Sequence, residues 1–252
     1  TLMMMPNLTG VDILVETNFC NYVNMITFLM KLLSAGANLY PSPPGPYTND
    51  TLVDPGTKEP RYDAFIISEP YYVDEAWLPP SVLAYYVQQN GTILFTGDRP
   101  IVCTDYTIWT EQWGISWNNT AVGGLSTNIA SHAITTNIQE IYFGSPIASL
   151  ILDTSVTPSP ECVVWDPILP GVAVWQAQAP GTGKVVVLSD DGILGNLYLY
   201  SADNLEFGFN IIKWFTDASG MYLSGVEYPL IPPIESPHPY PSDYDNWYWV
   251  SA

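Results

Sequence analysis

The chain reads as an α/β protein: a three-layer, mostly parallel (flavodoxin-like) sheet with an antiparallel edge extension and a Pro/aromatic-rich C-terminal arm. Three observations predict this. Four short runs, VDILV (11–15), DAFIIS (63–68), TILFT (92–96) and KVVVL (184–188), are continuously apolar, the pattern of strands covered on both faces. Each run stops at turn or cap residues, and helical patterns follow the first, second and last of these stops. From residue 220 the chain turns to Pro, Tyr and Trp.

Residues 11–15 form the first strand, ended by Glu16, Thr17 and Asn18, which can cap the helix after it. Residues 19–35 are the longest helical pattern, with Met25, Phe28, Leu29, Leu32 and Leu33 on a broad apolar face. Gly36 sits where a helix closes. Residues 38–40 give a short second strand. The Pro-dense stretch 41–61 reads as an extended surface loop. The third strand, 63–68, leads into a turn-rich segment with Tyr71, Tyr72 and Trp77. Pro79 and Pro80 suit a helix start, and residues 82–89 continue it to Asn90 and Gly91.

The fourth strand, 92–96, is stopped by Gly97, Asp98 and Pro100. The segments 147–153, 162–165 and 172–176 alternate, which suits antiparallel strands added at the sheet edge. The last parallel strand, 184–188, ends at Ser189, Asp190, Asp191 and Gly192. Asp203 and Asn204 can cap a helix over 205–215. The domain therefore spans 1–219, with the tail at 220–252.

Composition narrows the function. Six Lys plus Arg against 25 Asp plus Glu give a net charge of −19, which excludes a nucleic-acid footprint and disfavours anionic membrane surfaces. No window reaches the ~18 apolar residues of a membrane span, so direct membrane insertion is not expected. Four N-x-Thr sequons, at Asn7, Asn49, Asn90 and Asn118, fall in or beside expected loops and suit N-linked glycans. Together with the low Lys content they indicate an extracellular or cell-surface protein. The chain opens at Thr1 with no charged-then-apolar leader, as expected of a processed chain. Cys20, Cys103 and Cys162 are too few and scattered for a disulfide scaffold or a zinc site; one disulfide and one buried thiol are expected.

The order DAFIISEP, helix, NGTILFTGD resembles the class I glutamine amidotransferase-like fold, in its non-catalytic, trehalose-utilisation-like and surface-protein branches. TIWTEQWGI (107–115) resembles that family's helix ending in Phe-Gly-Ile or Trp-Gly-Ile. SHAITTNIQEIYFGSP (131–146) resembles its His-Pro-Ile-Thr-x-Gly-Val segment, with Ala133 in place of the Pro and Asn137 of the Gly. GTGKVVVLSDDGILGN, followed by DNLEFGFNIIKWF (203–215), resembles its closing strand, loop and helix. The resemblance spans residues 10–218.

The resemblance implies a Cys nucleophile after the fourth strand, where this chain has Thr96, Gly97 and Asp98. It implies a catalytic His and Glu after the closing strand, where this chain has Ser189, Asp190 and Asp191. An amidotransferase or peptidase is therefore not expected, and no catalytic residue is assigned. Cys103, five residues past Asp98, would serve only a divergent hydrolase. His132, in the segment matching the family's His, reads as structural, and His238 as an exposed tail residue.

The cleft residues expected at the carboxyl ends of the strands are Asp98, Asp190, Asp191 and Glu69. Converging carboxylates can serve glycoside hydrolysis or bind a hard cation such as Ca²⁺, but no cofactor is expected and no metal site is assigned. In the tail, Pro229, Pro232, Pro233, Pro237, Pro239 and Pro241 exclude regular helix. Tyr228, Tyr240, Tyr244, Trp247, Tyr248 and Trp249 are interface candidates, aromatic anchors for a homo-oligomer or polymer. The leading expectation is a non-catalytic extracellular protein that self-assembles into a surface layer, sheath or filament. The alternative is a secreted protein that binds carbohydrate on Trp and Tyr faces or hydrolyses it with the clustered carboxylates.

Overall fold

The computed structural model describes residues 4–71, 73–97, 104–166, 169–178, 183–217 and 221–223. Along the chain the elements are β1 (Met4–Pro6), β2 (Asp12–Val15), α1 (Ile26–Ser34), β3 (Asn38–Pro41), α2 (Asn49–Leu52), β4 (Ala64–Ser68), α3 (Pro80–Gln88), β5 (Thr92–Thr96) and α4 (Thr107–Thr110). There follow β6 (Ile115–Ser126), β7 (Asn128–Ile129), β8 (Ile141–Leu152), β9 (Glu161–Asp166), β10 (Leu169–Gln176), β11 (Lys184–Leu188), α5 (Asn204–Thr216) and β12 (Met221–Leu223).

Five strands run parallel in the order β3-β2-β4-β5-β11. Counted along the chain this is 2-1-3-4-5, the flavodoxin-like order, which reverses direction between β2 and β4. Beyond β11 the sheet continues through β10, β9 and β7, each antiparallel to the strand before it. The α/β class, the parallel sheet and its antiparallel extension are as the sequence predicts.

Strand periodicity divides the interior into two cores. Ile13, Ile66, Leu94 and Val186 face one core with Phe28 of α1 and Phe207 of α5. Their neighbours Leu14, Phe65, Ile93 and Val185 face the other, with Leu83 of α3 and Trp109 of α4. Burying each such Leu, Ile or Phe is worth roughly 1.5–3 kcal/mol over leaving it in water. Two helix ends close in the same way. After α1, Gly36 at φ +98° lets Gly36 N–H reach Leu33 O at 2.9 Å and Ala37 N–H reach Leu32 O at 3.1 Å. After α3, Asn90 takes the left-handed position and Gly91 N–H reaches Tyr86 O at 2.9 Å.

Several expectations need correction. The helix expected from residue 19 starts later, with a 3₁₀ turn at Tyr22–Met25 ahead of α1. Cys20 is bridged to Pro70, and the Asn18 and Phe19 N–H groups go to Glu16, so this stretch cannot coil. The stretch 41–61 lies mostly at the surface, as expected, but is not wholly a loop. It holds α2, and Tyr47 and Leu52 are buried.

Asp203 does not cap α5 with its side chain; that carboxylate accepts from Gln139 and Glu140 N–H. Asn204 instead binds both backbone groups of Tyr142. The alternation of residues 147–153 suits the sheet edge, but up to Leu152 they lie in β8, which pairs with β6 in a separate two-stranded ribbon. One part of that ribbon packs in the first core through Phe143 and another in the second through Leu150. The ribbon therefore crosses from one face of the sheet to the other.

The tail begins as a strand. β12 pairs antiparallel with β1, Met221 opposite Pro6 and Leu223 opposite Met4. Tyr228, Tyr240, Tyr244, Trp247, Tyr248 and Trp249 lie outside the described residues, as does His238. Cys20 and Cys162 are both free thiols, so the expected disulfide does not join them; Cys103 lies outside the described residues.

Candidate functional site

The carboxyl ends of β2, β4, β5 and β11 form one polar edge, the place where such sheets hold ligands. Each strand reaches it as a continuous apolar run and breaks on a polar residue: Glu16, Ser68 and Glu69, Thr96, then Ser189 to Asp191. All of these are buried.

Glu16, fully buried, occupies the switch point. Its Oε1 accepts the Asn18 N–H at 2.6 Å, and its Oε2 accepts the Tyr47 hydroxyl at 2.5 Å. Burial pushes its pKa up, against the pull of these hydrogen bonds. Burial next to Glu16 also raises the Tyr47 hydroxyl well above its ordinary range, so Tyr47 is the donor. The Cys20 thiol is raised in the same way, first by burial and then by Glu16, which makes it a poor nucleophile.

Glu69 follows β4 at φ +45°, in the left-handed region. Its Oε2 accepts from the Asn21 amide at 2.7 Å and the Asn24 amide at 2.8 Å. The same Asn24 amide lies 3.3 Å from Asp191 Oδ2. The structure thus brings Glu69 and Asp191 together on one donor. Asp98 lies outside the described residues.

Asp190 has a different task. Its Oδ2 accepts the Gly144 N–H at 2.5 Å and its Oδ1 the Gly192 N–H at 2.9 Å. Gly144 belongs to β8, so this carboxylate holds the ribbon against the end of β11. The fit is close, because a Cβ on Gly144 would stand 3.2 Å from Asp190 Oδ2. Beside it, the Ser189 hydroxyl has no partner among the described residues.

Sequence reasoning missed Glu16 as a site residue, together with Tyr47, Asn21 and Asn24. The available signal was position: Glu16 directly follows the first strand, on the side where the strand order reverses. His132 sits as a structural histidine. Its Nδ1 accepts the Ile134 N–H at 3.3 Å, its ring meets Trp214 edge-on at 5.0 Å, and burial lowers its pKa. Asn7, Asn49 and Asn90 are exposed and Asn118 is half-buried in β6. Among the described residues no Trp is exposed, and no three His, Cys, Asp or Glu side chains are grouped to hold a metal. No helix among them is long and apolar enough to cross a membrane.

The fold has solved counterparts. The chain is similar to the mmIFT52 N-terminal domain, at 19% identity and a TM-score of 0.66, over 81% of this chain and 97% of that one. It is also similar to Cytoplasmic Protein STM3548 from Salmonella typhimurium, at 12% identity and a TM-score of 0.56, over 81% and 98%. At such identities the likeness shows a shared α/β fold. No protein-family model and no curated protein matches the sequence.

Proposed function

We propose that this chain is a non-catalytic interaction and structural module of the amidotransferase-like fold, extracellular or at the cell surface, that self-assembles into a layer, sheath or filament through its C-terminal arm. One observation carries the reading. Asp190, where the resembled family puts catalytic chemistry, has both carboxylate oxygens on backbone N–H groups and binds the ribbon to the sheet. Glu16, Glu69 and Asp191 likewise accept from the chain's own donors. Carboxylates used in this way give rigidity, not a general acid or base free to reach substrate.

Further support comes from the −19 charge, the exposed sequon residues Asn7, Asn49 and Asn90, and the aromatic density of residues 228–249. Sedimentation velocity over a hundredfold range of protein concentration tests the reading. Mass that grows with concentration is the expected result; a monomer throughout overturns it.

A further inference from the structure

Three large apolar side chains are exposed on the turn before α1 and on the loop after β11. Leu197 is 85% exposed, Tyr200 62% and Val23 48%. Asn196 fixes this arrangement. Its N–H donates to Asn24 O at 2.7 Å, its amide donates to Val23 O at 2.8 Å, and its Oδ1 accepts the Thr27 N–H at 2.8 Å. The loop carrying Leu197 is thus fastened to the start of α1. On the same helix, Lys31 Nζ lies 5.9 Å from the centroid of the Tyr200 ring. A preorganised apolar surface with a cation at its border is the anatomy of an interface that loses little entropy on docking.

We propose that this patch receives the aromatic arm, residues 224–252, of a second copy of the chain. The proposal rests on the assembly reading above and names its acceptor surface. Charge supports the pairing: the arm carries Glu227, Glu235, Asp243 and Asp245 with no Lys or Arg, and Lys31 is one of only six basic residues in the chain. Side-chain chemistry agrees, because Tyr and Trp anchors with Pro between them suit a small apolar surface with a cation beside it.

Reach permits a neighbour. An arm of this length spans on the order of 90 Å when extended. The arm follows β12, which pairs with β1 of its own domain. A head-to-tail contact of arm on patch is heterologous and builds open polymers where its rotation does not close into a ring.

The test uses full-length chains in sedimentation velocity. One carries Leu197→Asp, a second Tyr200→Asp, and a third Trp247→Ser with Trp249→Ser. The two patch residues are exposed, so the fold is retained, and circular dichroism checks this. Each variant alone is expected to lose assembly. A 1:1 mixture of the Leu197→Asp chain with the arm variant is expected to give a dimer, since it offers one intact arm and one intact patch. If both patch variants assemble like the wild type and the arm variant does not, the acceptor surface is overturned and the assembly reading stands. If the mixture stays monomeric, arm and patch are not partners and the proposal is overturned. A wild-type monomer overturns both.

Discussion

Asp190 accepts the N–H of Gly144 at 2.5 Å, and through this bond the end of β11 is joined to the ribbon that crosses the sheet's carboxyl edge. A second bond, from Gly192 N–H at 2.9 Å, shapes the turn after β11. Asp190→Ala leaves one buried and one half-buried donor without their acceptor. We expect a cost of roughly 3 kcal/mol, seen as a fall in Tm of about 6–12 °C. Asp190→Asn keeps one acceptor oxygen and should fall between. Urea titrations of the two variants check the order.

Glu16 sets a pH dependence. Its folded pKa lies above the ordinary 4.5 because burial outweighs the donors from Tyr47, Asn18, Ser42 and Phe19. The folded state therefore holds the proton more tightly than the unfolded chain. The stabilising contribution is fully present below the unfolded value and is lost as pH rises through the folded one. Tyr47 and Cys20, which face Glu16, stay protonated throughout this window. Relative to Glu16→Gln, the wild type should gain stability as pH falls from 7 towards 4. Paired denaturation curves at each pH measure this, and a flat difference contradicts it.

Asn24 separates two carboxylates. Its amide serves Glu69 at 2.8 Å and Asp191 at 3.3 Å. Asn24→Ala removes the shared donor and should cost about 1–3 kcal/mol. Asn24→Asp puts a third negative charge beside the other two and should cost more at neutral pH. Equal stability of the two variants would show that the amide does not hold the pair.

How much of this was legible depends on burial pattern. Residues 92–96 and 184–188 read as strands to the residue, because both faces are covered and the run is unbroken. α3 was legible from Pro80 and Asn90, whose backbone preferences mark its ends. β6 was not, since Asn118, Asn119, Gly123 and Gly124 interrupt its alternation and the strand is bulged. At the edge, the placement of Glu69, Asp190 and Asp191 followed from strand ends alone. The role of Asp190 did not, because its partner Gly144 lies 46 residues away on a strand that only folding brings near. Tyr47 was hidden for a similar reason: it sits in a Pro-rich stretch, yet a buried carboxylate 31 residues earlier draws it inside.

Glycosylation tests the location. Asn7, Asn49 and Asn90 are exposed and Asn118 is half-buried. Peptide mass spectrometry of protein from its native source should find glycans at the first three, with lower occupancy at Asn118. Four bare sequons would contradict the extracellular assignment.

The most direct measurement is electron microscopy of the native protein with and without residues 224–252, a boundary that keeps β12 paired with β1. The account predicts filaments or sheets for the full chain and single particles for the shortened one. Single particles in both preparations would contradict it, and so would filaments that survive loss of the arm.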